Sequence, residues 1–295
     1  MKISIITPCF NSAGTLADTI QSVARQTWPN IEHIVIDGGS SDHTGQVVAK
    51  YRHLLAHYVS EPDRGLYDAI NKGIALASGE VIAILNADDF YADAQVLERA
   101  MTHFLTGAQA LYGDLDYVSA DNTALVVRKW RSGNYRFRRF LLGWMPPHPT
   151  FFLRKSLYEE HGGYDIRLRS AADYELMLRF LFKLKIHAVY LPRVMVKMRL
   201  GGQSNASLSN RWKANQEDRM AWKMNDLKPL PFTLLLKPLR KIRQFRLLKY
   251  LYEGWIKPAQ KTRPSVSRGN TQNESSTSAL VKRKQRMLQQ TRVEN

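Results

Sequence analysis

The chain has 295 residues, 44% of them hydrophobic, with a net charge of +17 and one cysteine, Cys9. That composition excludes a chain disordered throughout, a disulfide framework and any Cys-rich zinc module, and it allows a reducing compartment. The charge is split. Residues 1–127 hold 7 Lys and Arg against 15 Asp and Glu, a net of −8, and residues 128–295 hold 36 against 11, a net of +25. An acidic half suits a metal-dependent site and a basic half suits an anionic membrane face. A uniformly basic nucleic-acid binder has neither, so no nucleic-acid partner is expected.

In chain order, short β-branched runs at 3–6, 33–36, 57–59, 81–85 and 110–112 alternate with helical patterns at 15–26, 44–50, 66–77 and 94–104. The first run is too short for a signal peptide and reads as a strand. This order predicts an α/β fold with a mostly parallel central sheet flanked by helices. Residues 118–130 read as a hairpin pair turning at Asp121-Asn122. Helices are expected at 155–161, 173–184 and 208–225. Strands at 188–191 and 194–199, parted by Pro192, are expected to be an edge or return element. No apolar stretch is long enough to span a bilayer.

Ligands of an open parallel sheet bind outside the carboxyl ends of its strands. The segments there are Thr7-Pro8-Cys9-Phe10-Asn11, Asp37-Gly38-Gly39-Ser40-Ser41-Asp42, Ser60-Glu61-Pro62-Asp63-Arg64-Gly65 and Asn86-Ala87-Asp88-Asp89. Each brings a carboxylate, an amide or a hydroxyl to one edge. Carboxylates alone repel a diphosphate, but one that holds Mg²⁺ or Mn²⁺ becomes useful, and Asp88 is the best placed. The plainer reading of Asp88 and Asp89 is a helix cap. Asp37 is suited to a base or ribose, or else is an ordinary Asp-Gly turn. Asp68 and Lys72 are spaced for an i,i+4 salt bridge. The alternative is that Arg64, Asp68 or Asn71 faces the nucleotide. P-loop, dinucleotide-binding, Gly-x-Ser-x-Gly and His-Glu-x-x-His patterns are absent.

Read together, Ile5-Ile6-Thr7-Pro8-Cys9-Phe10-Asn11, Val35-Ile36-Asp37-Gly38-Gly39-Ser40-Ser41-Asp42 and Leu85-Asn86-Ala87-Asp88-Asp89 resemble the family 2 glycosyltransferases. The run from Ser60 to Gly73 resembles their bacterial branch that makes exopolysaccharide, colanic acid and lipopolysaccharide. The resemblance covers roughly residues 1–205. It implies a GT-A fold, a nucleoside-diphosphate sugar donor, a divalent ion and inversion at the anomeric carbon. By motif position Thr7, Pro8, Phe10 and Asp37 hold base and ribose. Asn11, Asp68, Asn71, Asn86 and Ala87 complete the donor contacts, and Asp88 carries the metal, with Asn86 departing from the usual first Asp. Ser170-Ala171-Ala172-Asp173-Tyr174-Glu175 is similar to the acceptor-side motif. It makes Asp173 the general base, with Glu175 next in line and an N-cap as the plainer reading of Asp173. His148, in Pro147-His148-Pro149-Thr150, resembles an acceptor loop. Gly202 and Ser204 fit a flap over the diphosphate or an ordinary turn. The lack of a Q-x-x-R-W element favours single-sugar addition.

These readings divide the chain into a nucleotide-sugar half (1–115), an acceptor half (116–226), a basic amphipathic segment (227–257) and a mostly disordered tail (258–295). The segment's leucines, aromatics and six cations, Lys237, Arg240, Lys241, Arg243, Arg246 and Lys249, suit an anionic membrane surface. A glycan or polyprenyl-diphosphate-linked glycan acceptor then fits a cytoplasmic enzyme peripheral to the inner face of the membrane. The competing reading is a basic membrane- or nucleic-acid-binding protein with an inactive GT-A-like domain.

Overall fold

The computed structural model of the chain describes residues 1–201 and 208–242. The first half runs β1 (Ile3–Cys9), α1 (Leu16–Ala24), β2 (Ile31–Asp37), α2 (Thr44–Tyr51), β3 (His57–Ser60), α3 (Leu66–Leu76), β4 (Val81–Ile84), β5 (Phe90–Tyr91), α4 (Val96–Leu105) and β6 (Ala110–Val118). The second half adds β7 (Val126–Trp130), β8 (Phe152–Arg154), α5 (Lys155–His161), α6 (Ala172–Met177), β9 (Ala188–Arg199), α7 (Leu208–Met224) and α8 (Thr233–Ile242). All described residues belong to one unit spanning Met1–Tyr250.

The sheet order is β3-β2-β1-β4-β8-β6-β9-β5, with β7 paired to β6. β1 is buried along its whole length because β2 and β4 flank it in parallel. A strand covered on both faces needs no polar alternation, and its sequence has little. Alternate residues serve opposite faces. Ile6 joins the core with α3 and α6, while Ile3 and Ile5 join the core with α4. Among the basic and aromatic residues of the second half, Phe140, Trp144, Tyr174 and Trp222 complete the first of these cores.

Three expectations change. β8 lies antiparallel between β4 and β6, so these two parallel-reading runs are not neighbours. The strands expected on either side of Pro192 are one strand, β9, paired with β6 on one side and β5 on the other rather than forming a free edge. Proline cannot donate to a ladder, and the register slips there, from Gly113 opposite Leu191 to Asp114 opposite Val194. The helix expected at 173–184 is α6 followed by one π-helical stretch, Leu178–Lys183. The division drawn at residue 115 falls inside β6, so the two halves share one sheet. Residues 202–207 and 243–295, which include Gly202, Ser204, three of the basic segment's six cations (Arg243, Arg246 and Lys249) and the tail, lie outside the described residues.

Gly73 explains how α3 reaches β1. A Cβ on Gly73 would overlap Ile6 Cγ2. Gly73→Ala is therefore expected to destabilise by about 1–3 kcal/mol, the usual cost of overpacking. In an Ile6→Ala background the added cost should shrink, since touching residues couple. Urea denaturation of the four chains checks this, and equal costs in both backgrounds would contradict the close approach.

Candidate active site

The loops after β1, β2 and β3 are stitched together by short polar side chains. Asn11 takes a left-handed backbone, φ 48°, which Asn tolerates better than most residues. Its Oδ1 accepts from the N–H of Ser41 at 2.9 Å, and its own N–H donates to Ser40 Oγ at 2.8 Å. Asp37, 2% exposed, accepts from Ser40 N–H (3.1 Å), Ser40 Oγ (2.5 Å), Ser60 Oγ (2.8 Å) and the Tyr58 hydroxyl (3.3 Å). The carboxylate of Asp63 lies over Gly38, where a Cβ would meet it. Asp37, Asp42 and Asp63 all act on Cys9, whose thiol burial and these charges push up to about 12. The end of β1 is thus a focus of negative potential. Phe10 stands at this edge, 53% exposed, and offers a flat apolar surface. Thr7 does not reach it by its side chain, because its hydroxyl shares a 3.0 Å hydrogen bond with buried His33. Pro8 is buried in β1.

The loop after β4 is held from two directions. Thr19 of α1 donates to the carbonyls of Ala87 (3.0 Å) and Asp89 (2.7 Å). Arg199, at the end of β9, donates to the Asp88 carbonyl at 2.8 Å and pairs with Asp18 of α1. Burial raises the Asp88 carboxyl above its ordinary value, and Arg199 partly opposes this. Asp89 is fully buried and raised well above the carboxylate range, first by burial and then by Asp88. Asn86 donates to Asp89 Oδ2 at 3.2 Å, while Asn86 Oδ1 is buried with no hydrogen-bond partner.

This donor set can be tested against Mg²⁺ or Mn²⁺. No group of three or more His, Cys, Asp or Glu that could hold an ion occurs among the described residues. An all-protein cage is therefore not available. One carboxylate, Asp88, beside an orphaned amide oxygen, Asn86 Oδ1, fits the other common mode, in which substrate phosphates and water complete the shell. A cation there would also offset the cost of a buried carboxylate. The residues fit the ion.

Asp173 sits in the first turn of α6, at the second helical position, and is not the cap. Its Oδ1 accepts from Tyr174 N–H at 2.8 Å and from the Tyr67 hydroxyl at 3.2 Å. No hydrogen bond reaches its Oδ2 from the described residues, so that oxygen is free to accept a proton. Tyr67 stacks on Tyr164 at 5.5 Å and 13°, and Tyr164 shares a 2.7 Å hydrogen bond with His148. Burial lowers the His148 imidazole, against the pull of Asp173. His148 is thus a buried support of the tyrosines under Asp173, not an exposed loop contact. Tyr117 of β6 is 6% exposed. Burial raises its hydroxyl, Arg128 opposes this, and Asp89 and Asp173 both raise it further.

Several expected roles are redistributed. Asp68 pairs with Arg64 at 2.9 Å, not with Lys72, which pairs with Glu61 at 2.8 Å. The reason is the turn at Gly65, which folds Arg64 back so that its N–H also donates to Asp68 at 3.0 Å. Asn71 is consumed by the backbone of Tyr164, donating at 2.8 Å and accepting at 2.9 Å. Glu175, the second candidate base, is 4% exposed and bound by Arg179 and Asn225. Tyr67, Tyr117, Arg199 and Glu217 were not singled out from the sequence. Tyr67 alone had a signal, since it adjoins Asp68 in the most specific motif.

The sheet thus carries carboxylates at the ends of β2 and β4, and a further one stands in the first turn of α6. The glycosyl transferase family 2 model matches residues 4–162, and the chain belongs to that family. It is 36% identical over 179 residues, 60% of this chain and 68% of the relative, to an uncharacterized glycosyltransferase of Mycobacterium tuberculosis. It is 30% identical over 210 residues, 68% of this chain and 78% of the relative, to a PGL/p-HBAD biosynthesis glycosyltransferase of Mycobacterium bovis. Among solved structures, S. aureus TarS 1–349 in complex with UDP superposes with a TM-score of 0.60 at 20% identity, covering 86% of this chain and 75% of that one. The mannosyltransferase PcManGT from Pyrobaculum calidifontis, in complex with GDP-Man and Mn²⁺, gives 0.57 at 20% identity, covering 80% and 68%. The fold is thus GT-A, and the chain is a glycosyltransferase.

What holds Asp173 in place is Glu217 of α7. Its Oε2 accepts from Ser170 N–H (2.7 Å), Ser170 Oγ (2.9 Å) and Ala171 N–H (3.0 Å), so it caps α6 from outside, where Ala171 cannot. Glu217→Ala is expected to cost about 1–2 kcal/mol, the upper range for a lost cap. Glu217→Gln, which keeps an acceptor, should cost less. Urea midpoints at unchanged slope check this, and an alanine variant as stable as the wild type would contradict the capping role.

Proposed function

We propose that this glycosyltransferase inverts the anomeric carbon as it moves one sugar from a nucleoside-diphosphate donor to a hydroxyl of a bacterial surface glycan. The reading rests chiefly on Asp173, in the first turn of α6, with one carboxylate oxygen that no described residue engages. In the reaction the acceptor hydroxyl gives its proton to Asp173 Oδ2 while its oxygen bonds to the anomeric carbon. The bond from that carbon to the diphosphate oxygen breaks, and the electron pair leaves with the nucleoside diphosphate. Asp37 and the face of Phe10 hold the base and ribose. Asp88 and Asn86 Oδ1 would hold the divalent ion, which when bound supplies positive charge to the departing diphosphate. No second carboxylate nucleophile is needed.

The branch that builds exopolysaccharide, colanic acid and lipopolysaccharide remains the proposed setting, with a polyprenyl-diphosphate-linked glycan as acceptor at the cytoplasmic face of the membrane. No described helix is long and apolar enough to cross a membrane. Contact with lipid in this account is therefore peripheral. The PGL/p-HBAD relative agrees with a role in surface glycan assembly in general terms and does not select the branch.

Two substitutions separate the roles. Asp173→Asn should lower kcat by about two to four orders of magnitude, the range for loss of a general base, with little change in donor affinity. Asp88→Asn should abolish turnover and Mn²⁺ binding together, while the fold persists. Released nucleoside diphosphate and Mn²⁺ titration are the readouts. Near-normal turnover in the Asp173 variant would move the base elsewhere. Full activity of the wild type in EDTA would remove the ion from the account.

A further inference from the structure

The basic amphipathic segment read from the sequence does not present itself to solvent as a whole. Leu234 is 6% exposed and Thr233 is fully buried. Thr233 Oγ1 donates to the Leu141 carbonyl at 2.6 Å. The backbone of α8 lies so close to Gly143 that a Cβ there would overlap Lys237 N. Lys237, counted from the sequence among the lipid-facing cations, turns inward instead. Its ammonium pairs with Asp218 at 2.6 Å and sits 3.7 Å from the centre of the Tyr174 ring. α8 is therefore part of the catalytic unit, docked by one face.

Its other face is apolar and open. Phe232 is 46% exposed, Leu235 64% and Leu239 54%, and their spacing of three and four places them on one side of the helix. Beside the seam where α8 meets residues 141–143, the 3-10 turn Phe137–Leu142 exposes two more, Phe137 and Leu142, which are 43% and 45% exposed. Arg136 and Arg138 of the same turn are exposed, the Arg138 guanidinium 5.8 Å from the Phe137 ring, and Lys228 is exposed just ahead of α8. Large apolar side chains rimmed by cations are unusual on a free surface and suit a headgroup boundary, where the ring and leucines enter and the cations meet phosphate.

We propose that the turn Phe137–Leu142 and the outer face of α8 form one docking surface for an anionic membrane. This deepens the peripheral location argued above and rests on it. The occupant is chosen by charge. The surface is apolar with an exposed cationic rim, in the half of the chain that carries a net of +25, and a bilayer with anionic headgroups matches both features. The site also lies where a lipid-linked acceptor needs it. Phe140 of the turn packs on Tyr174 at 6.4 Å, and Lys237 covers the same ring. Tyr174 follows Asp173 in α6.

The test is sedimentation of the full chain with phosphatidylcholine vesicles, with and without phosphatidylglycerol, at low and high salt. The wild type should bind the anionic vesicles and release at high salt. Leu235→Ser with Leu239→Ser, Phe137→Ser with Leu142→Ser, and Arg136→Glu with Arg138→Glu should each weaken that binding by about tenfold or more. All three pairs should keep wild-type hydrolysis of the donor in solution, since none of these residues touches the site. The Leu235 and Arg pairs should also keep the wild-type unfolding midpoint, whereas Phe137 packs on Phe182 and its change costs some stability. Equal binding to both lipids, binding to neither, or face variants that bind like the wild type would overturn the proposal. So would a wild-type dimer by light scattering that the Leu235 and Leu239 changes dissolve, since a second copy would then own the face. Vesicle binding is read without turnover, so its failure leaves the Asp173→Asn result standing, and lost turnover leaves the vesicle result standing.

Discussion

The parallel pairing of β6 with β9 is the constraint on which the site depends. The two strands run together from Ala110 opposite Ala188 to Val118 opposite Arg199. That register carries Arg199 to the loop after β4, where it holds the Asp88 carbonyl and pairs with Asp18 of α1. The antiparallel pairing of β6 with β7 sets Tyr117, one residue earlier on β6, opposite Arg128, whose guanidinium lies 4.3 Å from its ring. A nucleotide edge built by the first half is in this way closed by residues from the second. Without the pairing the Asn86–Asp89 loop would keep only Thr19 as a tether among the contacts that hold its backbone from other elements.

The opposite wall has a comparable dependence on distant residues. A six-residue helix such as α6 has little stability of its own. It is capped by Glu217, anchored through Tyr174 to Trp222 by a 2.9 Å hydrogen bond, and covered by Lys237. Asp173 is thus fixed by α7 and α8. A carboxylate that already accepts two hydrogen bonds through one oxygen, proposed above as the base, needs little reorganisation when an acceptor arrives. The tyrosine layer of Tyr67, Tyr164 and His148 ties this wall back to α3.

Most of the first half was legible because its signals are local. β1 to β4 and α1 to α4 fall within a few residues of the apolar runs and periodic segments, since strands covered on both faces must be apolar and helices beside them must be amphipathic. Asp37 and Asp88 were legible as polar residues after strands, and Asp173 through its match to the acceptor-side motif of the family. The missing pieces act across long separations. Glu217 reaches Ser170 across 47 residues, and Arg199 reaches Asp88 across 111. Neither contact leaves a periodic trace. β8 has only three residues, too few to announce an antiparallel insertion. Pro192 looked like a strand breaker, yet β9 absorbs it through a register slip. Lys237 reads as one cation among several, and only the burial of Asp218 and Tyr174 beneath it turns it inward.

The central claim is that the loop after β4 and the start of α6 face a single donor, one at the diphosphate and the other at the anomeric carbon. A crystal structure of the chain with a nucleoside-diphosphate sugar and Mn²⁺, with the ion located by its anomalous scattering, tests this most directly. The account predicts the ion on Asp88 and the diphosphate, with the anomeric carbon turned toward the carboxylate of Asp173. An ion bound away from Asp88, or a sugar whose anomeric carbon faces away from α6, would contradict it.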